Sequence, residues 1–515
     1  MKLREIAECI PGSRVIGSGE TEVLRAVQDS RRVQAGDLFV AMPGAQTDGH
    51  HFVPMALAAG ARAAVVERAL TLPGDPPQLL VPDAREALAV CAHLLLGSPT
   101  KQLTLCGVTG TNGKTTTTYL IRSIFERAGR PSGVIGTIGY LLGRRQLESG
   151  MTTPDTDVLA GYFAEMVSSG LTTAIMEVSS HALDQRRIAG MSFKVAALTN
   201  LTPEHLDYHK TMRQYARAKR ILFAGLSPDA VAVANADAPW SRTIVEGTPA
   251  RVLWYGLKSP ADVRPENVES DVRGSRFTLV TPRGRVEVRT ELLGTYNIYN
   301  CLTAAAVAEA LEIPLDAIAE GLAGVKAIRG RLEPVPTTLP FSVLVDYAHK
   351  TEALKQVLAT VRKLVKKPGR LAVVFGCGGN RDTQKRPAMA KVAQRLADRV
   401  YVTSDNPRNE QPEEIIRQIV AGFTSMKKVT VEADRRAAIG LALRQAREGD
   451  VVIIAGKGHE TYQIIGEVKR HFDDCEVAAE VLRDLEKQAP AGHAASCSAV
   501  AGTATKNERG RTGRG

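Results

Sequence analysis

The run Gly110-Thr111-Asn112-Gly113-Lys114-Thr115-Thr116 has the residue types and order needed to hold a polyphosphate. It follows the apolar stretch Leu103-Thr104-Leu105-Cys106-Gly107-Val108 and precedes Thr117-Thr118-Tyr119-Leu120-Ile121-Arg122-Ser123-Ile124-Phe125, whose spacing is helical. A strand, a glycine-bearing loop and a helix N-terminus make an anion cradle. Backbone N–H groups face the phosphates, the helix dipole favours negative charge, and Lys114 adds a mobile cation. Thr115 is placed to bring its hydroxyl to a magnesium ion. The run is a variant of the pattern G-x-x-x-x-G-K-[ST]. Val108 stands where the first glycine is usual, and the loop glycine is Gly110. The implied chemistry is the handling of a nucleoside triphosphate.

Other candidates stand at similar junctions. Met176-Glu177-Val178-Ser179-Ser180-His181 sets a carboxylate just past a buried run, and Asn200-Leu201-Thr202-Pro203-Glu204-His205-Leu206-Asp207-Tyr208-His209 sets acids and histidines past another. Glu177 and His205 could share a divalent cation, although magnesium prefers carboxylate, phosphate and water. Taken alone, His205 reads as an ordinary loop histidine. Lys219, in Tyr215-Ala216-Arg217-Ala218-Lys219-Arg220-Ile221-Leu222-Phe223, reads as part of a solvated basic helix face. Asp405-Asn406-Pro407-Arg408 reads as a turn.

The elements that must position these residues alternate. The runs 132–137, 174–178, 195–200 and 230–235 are short and β-branched, with helical stretches between most of them, which predicts a mostly parallel sheet with helices on its faces. Ligands gather at the carboxyl ends of such strands, where Glu177, Asn200 and Asn235 fall. Further strand candidates at 342–346, 371–376, 400–403 and 451–456 predict a second nucleotide-binding-like α/β fold. The expected organisation is a small α/β domain over 1–97, a central domain over 98–328, a third over 329–487, and a disordered basic tail over 488–515.

Composition narrows the class. Of 515 residues 44% are apolar and 23% charged, an ordinary globular balance. No uncharged apolar run reaches about 18 residues, so no membrane span is expected. The start carries early acids and no apolar segment, which does not read as a secretion signal. Seven scattered cysteines without a C-x-x-C suit a reducing compartment, and the cytoplasm is the expected location. A net charge of +11 suits anionic substrates. Aromatic residues are only 5%, which argues against a stacking surface for single-stranded nucleic acid.

Together the phosphate loop, Glu177-Val178-Ser179-Ser180-His181 and Glu204-His205-Leu206-Asp207-Tyr208-His209 resemble the Mur ligases. The resemblance continues through Gly294-Thr295-Tyr296-Asn297-Ile298-Tyr299-Asn300, Gly330-Arg331-Leu332-Glu333, Asp346-Tyr347-Ala348-His349, Asp405-Asn406-Pro407-Arg408 and Gly456-Lys457-Gly458-His459-Glu460, over roughly residues 20 to 480. These enzymes use ATP to form amide bonds in the peptide stem of bacterial peptidoglycan. The resemblance implies a three-domain α/β fold and an ATP- and Mg²⁺-dependent monomer that adds meso-diaminopimelate to a UDP-muramoyl dipeptide. It makes Lys114 and its loop the ATP phosphate site, with Thr115, Glu177 and His205 serving metal and Lys219 carbamylated to hold a second Mg²⁺. Asn297 matches an adenine contact, and Arg331 and Asp346 match further nucleotide contacts. Ser30 and the residues around Ala45-Gln46-Thr47 match uridine-nucleotide contacts. Thr152, Thr153, Ser179, Gln185 and Arg187 match muramoyl-dipeptide contacts. The amino-acid choice would rest on Asp405-Asn406-Pro407-Arg408: Arg408, helped by Arg381, would grip the distal carboxylate of diaminopimelate, and the Gly456 carbonyl and Glu460 would take its distal ammonium. Met151 and Lys350 depart from residues common in the family. The alternatives are the same ligase adding L-lysine, a folylpolyglutamate- or cyanophycin-type ligase, and a non-catalytic nucleotide-binding regulator.

Overall fold

The computed structural model describes residues 1–44, 47–271 and 273–488. Two compact units meet in the chain between Ile328 and Arg329. The tail expected over 488–515 lies, apart from Gln488, outside the described residues, as do Ala45 and Gln46. Among the described residues no helix is long and apolar enough to cross a membrane.

The first unit begins with a five-stranded sheet, ordered Arg14–Ile16, Gln78–Leu80, Ala63–Val66, Leu38–Val40, Ala26–Val27. The helix Ala84–Leu95 buries Ala87, Leu88, Cys91 and Ala92 in this sheet's core, and Asp83 caps it by accepting from the N–H groups of Arg85 and Glu86. Ala160 of the later helix Thr156–Ser168 belongs to the same core, which ties this layer to the next.

The central sheet has eight strands, ordered Arg251–Tyr255, Val231–Asn235, Val195–Leu198, Thr104–Thr109, Thr173–Glu177, Ser132–Ile135, Tyr140–Leu141, Gln146–Leu147. The first six are parallel and the last two form an antiparallel edge. Side chains alternate between two cores. Cys106, Val108 and Ile175 face one with Ile121, Phe125 and Leu302, while Leu105, Ala174 and Met176 face the other with Phe163 and Leu222. Helices therefore cover both faces, as the alternating sequence pattern predicted. A three-stranded antiparallel meander, Arg264–Asp271, Gly274–Thr281 and Gly284–Thr290, was not foreseen. Its charged outer residues hide the alternation of Phe277, Leu279 and Val288, which turn inward to the core.

The second unit holds a six-stranded sheet, ordered Glu333–Pro334, Ser342–Asp346, Val451–Ala455, Leu371–Phe375, Arg399–Val402, Val429–Val431; only the Glu333–Pro334 edge is antiparallel. A hairpin, Tyr462–Ile465 with Val468–His471, follows its central strand. Arg435 and Asp474, both fully buried, form a two-pronged pair at 2.8 and 2.7 Å, and Arg435 also donates to the carbonyls of Ala455 and Ser404. This pair fastens the helices Arg435–Arg444 and Asp474–Gln488 to the sheet ends. Removing one partner strands a charge in the interior. Arg435→Met is expected to cost about 3–5 kcal/mol in urea unfolding of the second unit, and Arg435→Met with Asp474→Leu should cost clearly less.

Candidate functional site

The parallel register brings three strand ends together. Glu177 aligns with Val108, and Leu198 aligns with Thr109, so the loop at Gly110, the Glu177 carboxylate and the turn at Asn200 share one edge. Gly110 has φ 149° and Gly113 φ 88°. A Cβ on Gly110 would lie 1.9 Å from Thr199 Oγ1, and one on Gly113 would lie 2.3 Å from Asn300 Oδ1. Both glycines are therefore required by space as well as by torsion. Val108 is a buried strand residue, which leaves Gly110 as the first glycine of the loop.

The loop is clamped from outside its own sequence. Asn200 Oδ1 accepts from the Asn112 N–H at 3.0 Å, and Asn200 Nδ2 donates to the Asn112 carbonyl at 3.0 Å. Thr199 Oγ1 donates to the same carbonyl at 2.7 Å, and the Thr111 N–H reaches the Asn200 carbonyl at 3.0 Å. Lys114 Nζ folds back onto the carbonyls of Gly110 and Thr111, 2.9 Å from each. The helix Lys114–Arg127 starts at this point and buries Thr115 and Thr116 in its first turn. Asn297, read from sequence as a base contact, is buried; it donates to the Leu293 carbonyl and accepts from Asn300.

Glu177 is 1% exposed. Its carboxylate accepts from Thr115 Oγ1 (2.9 Å), the Thr137 N–H (2.8 Å) and Thr137 Oγ1 (3.0 Å). Thr137 Oγ1 lies 3.1 Å from Thr152 Oγ1. Thr153 Oγ1 donates to the Glu177 carbonyl at 2.8 Å and accepts from the Ser179 N–H at 3.0 Å. Thr115, Glu177, Thr152, Thr153 and Ser179 thus form one connected group. Thr137 joins it, although the motif reading gave it no role, while Asn200 and Asn300 hold the neighbouring glycine loop. Thr137 stands just beyond a strand end and Glu177 ends a strand, so the same strand-end rule identifies it.

The solvated reading of Lys219 is corrected. Its side chain is buried, while Arg217 and Arg220 are exposed. Tyr215, Lys219 and Leu222 recur at helical spacing on the inward face of Met212–Ala224, and that periodicity was the missed signal. Lys219 Nζ is 3.1 Å from the Gly110 carbonyl, 3.3 Å from Thr109 Oγ1 and 4.8 Å from the Tyr215 ring centre. Burial and then the nearby Lys114 charge hold its ammonium well below the usual lysine range, with Glu204 opposing. His205 has φ 57° and stands edge-on to His181, 4.9 Å between ring centres. Among the described residues no group of three or more His, Cys, Asp or Glu side chains forms a ready metal cage. The Thr115 hydroxyl and the Glu177 carboxylate are nevertheless adjacent hard oxygen donors beside a phosphate loop, which fits Mg²⁺ with phosphate and water completing its shell.

Within the same unit a cleft of about 90 Å³ is lined by Gln28 and Arg85 from the N-terminal layer and by Asp155, Gln185 and Arg187 from the central one. Arg187 donates to Gln185 Oε1 (2.7 and 3.0 Å), to the Thr153 carbonyl (2.7 Å) and to Met151 Sδ (3.3 Å). Met151 therefore touches Arg187 through sulfur. Its backbone is held by Tyr140, whose hydroxyl donates to the carbonyl at 2.6 Å and accepts from the N–H at 3.0 Å. Ser30 opens the short turn Ser30–Arg32, capped by Asp29, and is not among the cleft-lining residues.

In the second unit, Asn406 Nδ2 donates to Glu460 Oε2 at 2.9 Å, and Asn406 Oδ1 accepts from the Ile464 N–H at 3.0 Å. Arg408 has φ 53°, bridges to Ile465 and donates to the Gly379 carbonyl at 2.9 Å. A Cβ on Gly456 would lie 3.0 Å from Asp405 Oδ2. Asp405, Asn406, Pro407, Gly456 and Glu460 gather where two parallel strands end, whereas Arg381 is exposed. Asp346 is buried and accepts from the Leu332 and Ala348 N–H groups, at 2.8 and 2.9 Å. Burial pushes its carboxyl up, against the opposing charge of Arg331. Lys350 is the N-cap residue of the helix Thr351–Leu364.

A methyl group at Gly110 must displace Thr199 or the loop. Gly110→Ala is expected to weaken binding of a fluorescent nucleoside triphosphate by roughly 10- to 100-fold, the equivalent of about 1–3 kcal/mol of backbone strain. Unchanged affinity in a titration would remove the loop from the phosphate site.

Three family profiles match in chain order: "Mur ligase family, catalytic domain" over residues 27–93, "Mur ligase middle domain" over 108–308 and "Mur ligase, glutamate ligase domain" over 330–458. The UDP-N-acetylmuramoyl-L-alanyl-D-glutamate–2,6-diaminopimelate ligase of Geobacillus kaustophilus is 45% identical over 492 residues, 94% of this chain and 100% of that protein. The protein of the same name from Bacillus licheniformis is 44% identical over 476 residues, 91% of this chain and 96% of its own. A solved structure of a UDP-N-acetylmuramoyl-L-alanyl-D-glutamate–2,6-diaminopimelate ligase superposes with a TM-score of 0.71 at 32% identity, covering 94% of this chain and 99% of that one. By sequence and by fold, the chain belongs to the Mur ligase family.

Proposed function

We propose that the protein is an ATP-dependent ligase that joins meso-diaminopimelate to the D-glutamyl carboxyl of UDP-N-acetylmuramoyl-L-alanyl-D-glutamate, in peptidoglycan precursor synthesis. One observation carries this reading: an intact phosphate loop with Thr115 on Glu177, in a chain that matches diaminopimelate ligases over 94% of its length.

The D-glutamyl carboxylate attacks the γ-phosphorus of ATP, the bond to the bridging oxygen breaks, and ADP leaves an acyl phosphate. The amine at the L-centre of diaminopimelate then attacks the acyl carbon, loses a proton and expels inorganic phosphate from a tetrahedral intermediate. No covalent enzyme nucleophile is needed, so catalysis is positioning and charge neutralisation. Lys114 exchanges the carbonyls of Gly110 and Thr111 for phosphate oxygens. Thr115 and Glu177 would hold Mg²⁺, with His205 and a carbamylated Lys219 serving a second ion; bound there, the metal neutralises phosphate charge. The depressed ammonium of Lys219 supports this assignment, because only a neutral amine reacts with carbon dioxide. Asn297, Arg331 and Asp346 are assigned to the nucleotide. Residues 1–97, with Ser30, are assigned to the uridine end, and Thr152, Thr153, Ser179, Gln185 and Arg187 to the muramoyl dipeptide. Residues 329–487 take the amino acid. There the planar guanidinium of Arg408, with Arg381 beside it, would grip the distal carboxylate, and Glu460 with the Gly456 carbonyl the distal ammonium.

A coupled ADP-release assay tests the reading. With the muramoyl dipeptide nucleotide, meso-diaminopimelate is expected to outperform L-lysine by at least about 100-fold in kcat/KM, since lysine leaves Arg408 without its carboxylate. Equal rates would reassign the substrate, and no ADP with any amino acid would end the ligase reading. Lys114→Ala should lose nearly all turnover. Lys219→Ala should also fail but regain activity with added short carboxylic acids, and full activity without them would refute the carbamate.

A further inference from the structure

Lys457 is the one member of the Gly456-Lys457-Gly458-His459-Glu460 loop that is charged, fully buried and given no role above. Its Nζ is 3.3 Å from Asn406 Oδ1, 3.6 Å from Glu460 Oε2 and 3.9 Å from Asp405 Oδ1, with the Tyr462 ring centre at 5.6 Å. Asn406 in turn donates to Glu460. Three residues assigned to the amino acid therefore hang on one ammonium.

We propose that Lys457 is a positioning residue of the amino-acid site: a buried counter-charge that keeps Glu460 ionised beside the Asp405 carboxylate, so that the pocket offers one net negative charge to the distal ammonium of diaminopimelate. The inference rests on the amino-acid assignment made under Proposed function. Burial pushes the Lys457 ammonium down, and Asp405 and Glu460 oppose that; with the ammonium held by them, two carboxylates and one ammonium sum to a single negative charge, which one incoming cation neutralises. Without Lys457 the two carboxylates face each other in a poorly hydrated pocket, and one takes a proton. Glu460 is the group that yields, because burial and then Asp405 push its carboxyl up while Lys457 and Asn406 hold it down. The other charges nearby do not replace Lys457. Arg435 is matched by Asp474, and Arg408 is turned onto the Gly379 carbonyl. Lys385, which acts on Asp405 and not on Glu460, donates to the His349 carbonyl at 2.9 Å. Tyr347, pushed up to about 12 by burial, stays neutral.

The sign of the pH effect follows. Loss of Lys457 raises the Glu460 pKa, so the distal-ammonium contact fails at low pH and returns as pH rises through the new value. At pH 6.5, Lys457→Met should raise KM for diaminopimelate by roughly 30-fold, and by pH 9 the excess should shrink to about threefold, with KM for ATP changed less than about threefold throughout. Lys457→Arg should keep a pH profile close to that of the parent protein. A role in folding alone would raise KM equally at every pH, and that result overturns the inference. Should Lys457→Met not fold, calorimetry on the unaltered protein with ADP and the dipeptide nucleotide decides. Binding of meso-diaminopimelate and of 2-aminopimelate, which lacks the distal amine, should release equal numbers of protons. One extra proton released by diaminopimelate would mean that Glu460 is already protonated and that Lys457 does not balance it. If the unaltered protein uses no diaminopimelate at all, the substrate assignment fails instead.

Discussion

Parallel pairing of Thr104–Thr109 with Thr173–Glu177 on one side and Val195–Leu198 on the other is the constraint from which the first unit's site follows. Parallel strands end on the same edge, so the residues that leave them meet there. The phosphate loop leaves the middle strand, Glu177 ends one neighbour and Asn200 follows the other. Shifting Thr173–Glu177 by one residue would carry Glu177 away from Thr115, and shifting Val195–Leu198 would carry Asn200 away from Asn112.

A loop rich in glycine is free to take many shapes, and this one is held to a single shape by groups remote in the chain. Asn200 and Thr199 bind both ends of the Asn112 peptide unit, Asn300 stands against Gly113, and Lys219 closes on the Gly110 carbonyl. From Thr115 the hydrogen bonds continue through Glu177 and Thr137 to Thr152. The groups assigned to metal and to the dipeptide are thus parts of one network, in which each buried polar atom fixes the next.

The second unit reaches order differently. Its strand-end loops are organised by buried charge: Arg435 on Asp474, and Lys457 among Asp405, Asn406 and Glu460. Buried charges are costly unless they are paired and hydrogen-bonded, so a polar cluster of this kind holds its members to few arrangements.

Local order was legible in the chain. Apolar runs marked the parallel strands, and the glycine–lysine–threonine order marked the turn from strand into helix, because strand and loop preferences act over a few residues. The meander was hidden by its charged outer face, and Lys219 passed for a surface residue because Arg217 and Arg220 flank it. By itself the sequence determined where a glycine–lysine–threonine loop joins strand to helix, where the strand ends lie and which acids and histidines follow them. Only the tertiary structure decided that Asn200 and Asn300 hold that loop, that Lys219 and Lys457 are buried and that Arg381 is not, since burial and hydrogen-bond partners depend on segments up to about two hundred residues away, as in the 183-residue separation of Thr117 and Asn300.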